Sequence, residues 1–333
     1  MTAPLGVEGS ASTAQPEAVL EGMGSVSGRS LGQIAWLRLK RDKAALAGGA
    51  VVVLLLLVAV FAGPITSLEG QNPNTFHSDL IDPNYGTPRG SFGGISSGHI
   101  LGVEPVNGRD LFARIVYGAQ VSMIIAFLAT GVSVVIGVVA GMVAGYFGGW
   151  VDSVVSRMMD LLLAFPLLLF AIALVAVLGD DKAPGLSADN TRVALLVVII
   201  GFFSWPYIGR IIRGQTLSLR EKEYVEAARS QGAGHVRILF RELLPNLVGP
   251  ILVYATLIVP TNILFEAALS FLGVGVRIPR PSWGGMLSDA AQGYFQIDPV
   301  FMVVPGLALF VTVMAFNLFG DGLRDALDPR SNR

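Results

Sequence analysis

The four lysines of this 333-residue sequence, Lys40, Lys43, Lys182 and Lys222, follow Leu39, Asp42, Asp181 and Glu221. A phosphate-cradling loop of the G-x-x-x-x-G-K-[ST] kind places its lysine directly after a glycine, so that backbone N–H groups and the ammonium meet the phosphates together. None of the four has that context, so the chain cannot cradle ATP by this device. The three histidines, His77, His99 and His235, are dispersed, and no H-E-x-x-H is present. They read as solvated loop imidazoles, and no metal site is expected from them. The absence of cysteine removes disulfides, iron–sulfur clusters, Cys-ligated zinc and thiol nucleophiles together. Two carboxylates, Asp160 and Glu266, fall inside apolar runs. An ionised group at a bilayer centre costs about 2.5–3.5 kcal/mol on insertion scales, so it faces protein or water. Two acids without a lysine or histidine partner make a poor proton relay. Asp160 is expected to pair with Arg157, three residues back on one helix face. For Glu266 two readings stay open, interhelical hydrogen bonding as a neutral acid or lining of a water-filled path.

The elements that carry these residues are set by composition. Hydrophobic residues make up 53% and charged residues 14%, against roughly 25% charged in soluble domains. Mean hydropathy is +0.63. This disfavours a soluble enzyme, and a net charge of −1 supplies no basic field for nucleic acid. Uncharged runs predict six membrane helices, near 44–63, 120–143, 154–178, 193–213, 247–271 and 300–319, each close to the ~20 residues that cross the hydrocarbon. The uncharged run from Ile115 to Val151, 37 residues, is too long for one simple helix. The first run could instead be a signal peptide, but its apolar stretch exceeds the usual length and no A-x-A site follows.

Orientation follows the positive-inside rule. With the N-terminus inside, sixteen of the 23 Lys and Arg residues fall on the cytoplasmic side. Both termini are therefore expected in the cytoplasm. Residues 1–28 lack Lys and Arg and read as a disordered tail. Residues 29–63 form a basic juxtamembrane segment and the first span, 64–116 an outer loop, 117–319 a five-helix core, and 320–333 a cytoplasmic tail. No internal repeat is visible, which weakens a reading as an inverted-repeat secondary transporter.

Within the core, the 214–246 loop is the largest charged stretch after the first span. Ser218 and Glu221 give an S-x-x-E capping box, predicting a helix from about Leu219 to Arg229 or Ser230. Gly232 and Gly234 stop it. A second helix is expected from near Val236 to just before Pro245. Tyr224, Val225, Ala227 and Ala228 form a small-residue apolar face rimmed by Arg220, Lys222 and Arg229. Such a ridge suits a partner's groove; equally, it suits a connector lying at the lipid headgroups.

Here the sequence resembles a known family. Glu226-Ala227-Ala228, then Gly232, then Leu244-Pro245 resembles the EAA loop of ABC-importer permeases, with Glu242 where the family carries an Ile-like residue. The strings ILFEAALSFLGVGV at 263–276, PSWGGMLSDA at 281–290, FNLFGDGLRDALDPR at 316–330 and HILGVEPVNGRDLFARIVYGAQVSM at 99–123 resemble the C-type permease of dipeptide and oligopeptide importers. Val103, Glu104, Ala113, Gln120 and Met123 depart from the family text in the last of these. The resemblance implies a type I ABC-importer permease fold, all-α and polytopic with six spans, in a bacterial cytoplasmic (inner) membrane. It implies half of a translocation pathway for di- or oligopeptides, with a homologous second permease as heterodimer partner. Two ATPase subunits, or one fused ATPase, would bind ATP and Mg below, and an extracytoplasmic binding protein would deliver cargo above. Nickel chelates, glutathione and haem are other cargoes of such permeases. The chain itself would bind no cofactor, contact lipid but not nucleic acid, and catalyse nothing. Tyr224, Glu226, Ala227, Ala228, Gly232, Leu244 and Pro245 would couple to the ATPase. Glu266 and Trp283 are candidates for the path, and Gly108, Arg109 and Asp110 form the outer-loop motif. The alternative function is an ion- or proton-coupled secondary transporter or channel acting alone.

Overall fold

The computed structural model describes residues 31–178 and 185–327. The tail expected over 1–28 lies outside them, as do parts of the 179–192 loop and the C-terminal tail. Among the described residues the chain is all-α, with isolated β-bridges only in the loop before residue 111. A short basic helix, α1 (Leu31–Leu39), precedes α2 (Lys43–Val60). Asp42 caps α2, accepting from the N–H groups of Ala44 and Ala45 at 2.9 and 3.0 Å, which satisfies two of the donors a helix start leaves orphaned. After α3 (Ala62–Glu69) the chain runs through the loop into α4 (Leu111–Phe147).

The long uncharged run breaks at Gly148, and all of it before that point belongs to one helix, α4, which exceeds the expected 120–143 at both ends. It contains no proline, so nothing breaks its hydrogen-bond ladder, and at 37 residues it extends roughly 55 Å. That exceeds the ~30 Å of hydrocarbon, and α4 begins at Leu111, ahead of the expected core boundary at 117. The span expected over 154–178 is instead broken into α5 (Gly149–Ala164) and α6 (Leu167–Leu178), bent by 83°. Phe165 between them is extended (φ −73°, ψ 132°), because the ring of Pro166 disfavours helical backbone in the residue before it.

α7 (Ala188–Leu219) runs six residues past its expected end and contains Ser218, so the predicted capping box does not form. α8 (Glu223–Ser230) starts after Lys222 without a side-chain cap. α9 (His235–Phe271) then runs unbroken through Pro245, where a stop was expected. Over Ile238–Leu243 the helix widens to a π-turn, with Leu244 N–H bonded to Leu239 O. This register accommodates a proline that has no N–H to offer. α10 (Trp283–Asp289) and α11 (Val300–Leu327) complete the chain. Among the described residues five helices are long and apolar enough to span a membrane, α2, α4, α7, α9 and α11, or six if the bent α5–α6 pair is counted as one span.

α4 and α7 pack in parallel, their seam built on Gly137, Gly141 and Gly145, one per turn. A methyl on Gly141 would lie 2.5 Å from Gly209 O, and one on Gly137 would lie 2.8 Å from Trp205 O. Small residues let backbones approach where lipid gives helices no hydrophobic reason to associate. α9 runs antiparallel to α4, and α11 packs against both α9 and α2.

Candidate functional site

The two candidate sites lie at opposite ends of the bundle. At one end α8 hangs beside the ends of α4 and α7. Val225 is fully buried with Tyr146, Ile212, Ile238 and Leu243. It therefore anchors α8 to the bundle and is not part of the exposed apolar face to which the sequence assigned it. Hydrophobic type alone could not separate an anchor from a docking face. Tyr224, Glu226 and Ala227 are exposed, Ala228 is half-buried, and Leu244 and Pro245 lie on the first turns of α9, half-buried and exposed. Burial and the Glu242 carboxylate lift the Tyr224 phenol above its ordinary pKa, so it presents a neutral hydroxyl.

The turn after α8 is closed by two bonds, Ala233 N–H to Ala228 O at 3.0 Å and Gly232 N–H to Arg229 O at 2.9 Å. This pairing is a Schellman motif, and it needs the left-handed backbone that Gly232 adopts (φ +81°). The expected glycine stop is thus found at Gly232, while Gly234 is extended and opens the next helix. Tyr146 spans both flanks of the turn: its hydroxyl meets His235 Nδ1, and Arg229 sits over its ring. His235 is accordingly held by the bundle, not merely solvated. Arg220 donates to Gly145 O at 3.0 Å. The helix α5 is tied to α7 by two ion pairs, Arg213 with Asp152 and Arg210 with Asp160 at 2.5 Å. Asp160 therefore pairs across helices and not with Arg157, a partner that spacing within one helix could not reveal.

At the other end, the Gly108-Arg109-Asp110 triplet organises the loop. Gly108 has φ +64°, and a Cβ there would lie 2.5 Å from His77 O. Asp110 caps α4 through Ala113 N–H at 2.7 Å and meets His99 Nδ1 at 2.8 Å. His99 is buried and His77 stacks edge-on against it at 4.7 Å, correcting the reading of solvated imidazoles. Arg109 is buried against Glu104 at 2.8 Å, and Arg114 meets the other oxygen of Glu104 at 2.5 Å. Burial pushes the Glu104 carboxyl up, and the two guanidiniums draw it down. Glu104, one of the departures from the family text, is thus the hub of a buried ion triad. Trp283 is buried, its Nε1–H donating to Ile115 O at 3.1 Å.

Inside the bundle, Glu266 is fully buried and accepts from Ser122 Oγ and Ser270 Oγ, both at 2.7 Å. Of the two readings left open for it, the geometry shows interhelical hydrogen bonding. One turn away, Asn262 accepts from Ser204 Oγ at 3.0 Å and donates to Thr130 Oγ1 at 2.9 Å, linking α9, α7 and α4. Sequence reasoning missed this tie; its one signal was an amide inside an apolar run. No group of three His, Asp or Glu suited to a metal occurs among the described residues.

Known proteins share both the sequence and the fold. Residues 137–333 match the family described as binding-protein-dependent transport system inner membrane component. Residues 30–83 match the N-terminal transmembrane domain of oligopeptide transport permease C. The chain is 40% identical, over 89% of each chain, to the dipeptide transport system permease protein DppC of Alkalihalophilus pseudofirmus. It is 40% identical, again over 89% of each, to the glutathione transport system permease protein GsiD of Escherichia coli. In fold it is similar to a solved chain of the inward-facing MetNI methionine ABC transporter, with a TM-score of 0.50 and 18% identity over 66% of this chain and 98% of that one.

Proposed function

We propose, for a chain that belongs to the binding-protein-dependent transport system inner membrane component family, that its cargo is a di- or oligopeptide. The chain is an ABC-importer permease subunit in a multi-pass inner-membrane setting, and the family implies ATPase and binding-protein partners. Our reading adds a homologous permease as the second half of the pathway and an ATPase on each half, or one fused ATPase. It also puts both termini in the cytoplasm. α8 then faces the ATPase and the 70–110 loop faces the binding protein.

One observation carries the coupling role. α8 is rigidly closed at Gly232, anchored at Val225, and yet exposes Tyr224, Glu226 and Ala227. A connector lying in headgroups would turn Val225 outward as well; here Val225 is buried in the bundle. For cargo, support comes from relatives named for dipeptide and for glutathione, itself a small peptide. The test is reconstitution of the complete complex in proteoliposomes. ATP-dependent uptake of a labelled dipeptide is expected, with neither uptake nor hydrolysis by this chain alone. Uptake by the isolated chain without ATP would instead establish the secondary transporter.

A further inference from the structure

A cavity of about 590 Å³ opens at the loop end of the bundle, between the first turns of α4 and α7 and the end of α9. Its volume lies in the range of small-molecule sites. The charged residues that line it are Arg114, Arg192, Arg277, Arg280 and Asp289, four cations against one carboxylate. Arg114 is held by Glu104, Asp289 lies 3.9 Å from Arg109, and Arg277 is also partnered. Arg192 differs. It is only 7% exposed, its Nε–H donates to Gly275 O at 3.0 Å, and it has no carboxylate partner among the described residues. Its terminal nitrogens are left for another acceptor. Arg280 is steadied on the same α7 turn by Asn190 Oδ1 at 3.2 Å.

Burying a guanidinium without an anion is costly, and a guanidinium fork matches a carboxylate in two parallel bonds. We infer that Arg192, with Arg280 beside it, forms a subsite for an oxyanion, and that this anion is the C-terminal carboxylate of the incoming peptide. This rests on the peptide reading above and adds a contact by which the permease itself selects cargo. A lipid phosphate offers similar chemistry, and the test separates the two.

The assay is ATP-driven uptake by the complete reconstituted complex, with binding protein saturated by a peptide or by its C-terminal amide. Saturation is checked separately by calorimetry. The wild-type complex is expected to carry the free acid faster than the amide. Arg192→Gln should lower free-acid uptake about tenfold, the weight of one charge-assisted hydrogen bond, and leave amide uptake unchanged. Arg192→Lys should recover part of the difference. Equal loss for both cargoes would make Arg192 a packing residue and overturn the proposal. So would an effect seen in vesicles containing phosphatidylglycerol but absent in phosphatidylcholine alone, which would assign the site to lipid. If Asp180→Asn with Asp181→Asn reproduces the Arg192→Gln result, the chain balances its own arginine, and the proposal also falls. Failure of the wild-type complex to carry either peptide would count against the peptide reading itself.

Discussion

The hydroxyl of Tyr146 lies 2.9 Å from Nδ1 of His235. The Arg229 guanidinium covers the same ring, 5.4 Å from its centroid. One residue at the end of α4 thus contacts both flanks of the Gly232 turn and ties α8 to α4.

Tyr146→Phe keeps the ring beneath Arg229 and deletes the hydroxyl. The loss of one such bond, worth about 0.5–1.5 kcal/mol, should reduce uptake per ATP hydrolysed roughly two- to tenfold, with complex assembly intact. Tyr146→Ala removes both contacts and should uncouple more. Parallel uptake and ATPase assays on reconstituted complexes measure the ratio, and an unchanged ratio in both variants removes Tyr146 from the coupling route.

At Gly232 space and conformation can be separated, because no atom lies within 4 Å of the position a Cβ would take while φ is +81°. A substituent meets no clash and only the left-handed backbone resists it, at roughly 1–2 kcal/mol for ordinary residues and more for β-branched ones. Gly232→Asn, which tolerates that region, should retain most uptake, and Gly232→Val should lose it while still inserting in the membrane. Equal loss in both would point to a contact with the partner in place of a backbone requirement.

Along the α4–α7 seam the situation is reversed. A methyl on Gly141 meets the backbone carbonyl of Gly209 at 2.5 Å, which cannot rotate away. Gly141→Ala should lower thermal stability by about 1–3 kcal/mol, and Gly141→Leu should prevent accumulation of folded permease. Fluorescence-detected size exclusion after heating measures both.

Glu104 holds two buried arginines. Glu104→Gln leaves Arg114 without its paired carboxylate and Arg109 with only Asp289, 3.9 Å away, and breaking a buried pair from one side costs about 3–5 kcal/mol. The variant should be markedly less stable, and replacing Arg109 and Arg114 by Met in the same chain should recover part of the loss. A Glu104→Gln protein as stable as the parent would show that the triad contributes little.

Much was legible without coordinates. Uncharged runs located the spans, because hydrocarbon excludes charge and demands internally satisfied backbone. Glycine at 232 marked the end of α8, because only a residue without Cβ enters the left-handed cap freely. Three classes of fact needed the tertiary structure. Helix ends and breaks moved where a proline met its neighbours: Pro166 breaks a span expected to be continuous, while Pro245, expected as a stop, is absorbed by a π-turn. Partners from distant segments were invisible, as with Asp160 and Arg210, Tyr146 and His235, or Glu104 and its two arginines, because sequence spacing reports neighbours only within one helix. The face each side chain presents was also undecided: Val225 and Tyr224 are adjacent and similar in hydrophobic type, yet one is wholly buried and the other exposed. Composition and periodicity fix which segments leave water; only the packing of α4, α7 and α9 decides which polar groups meet inside.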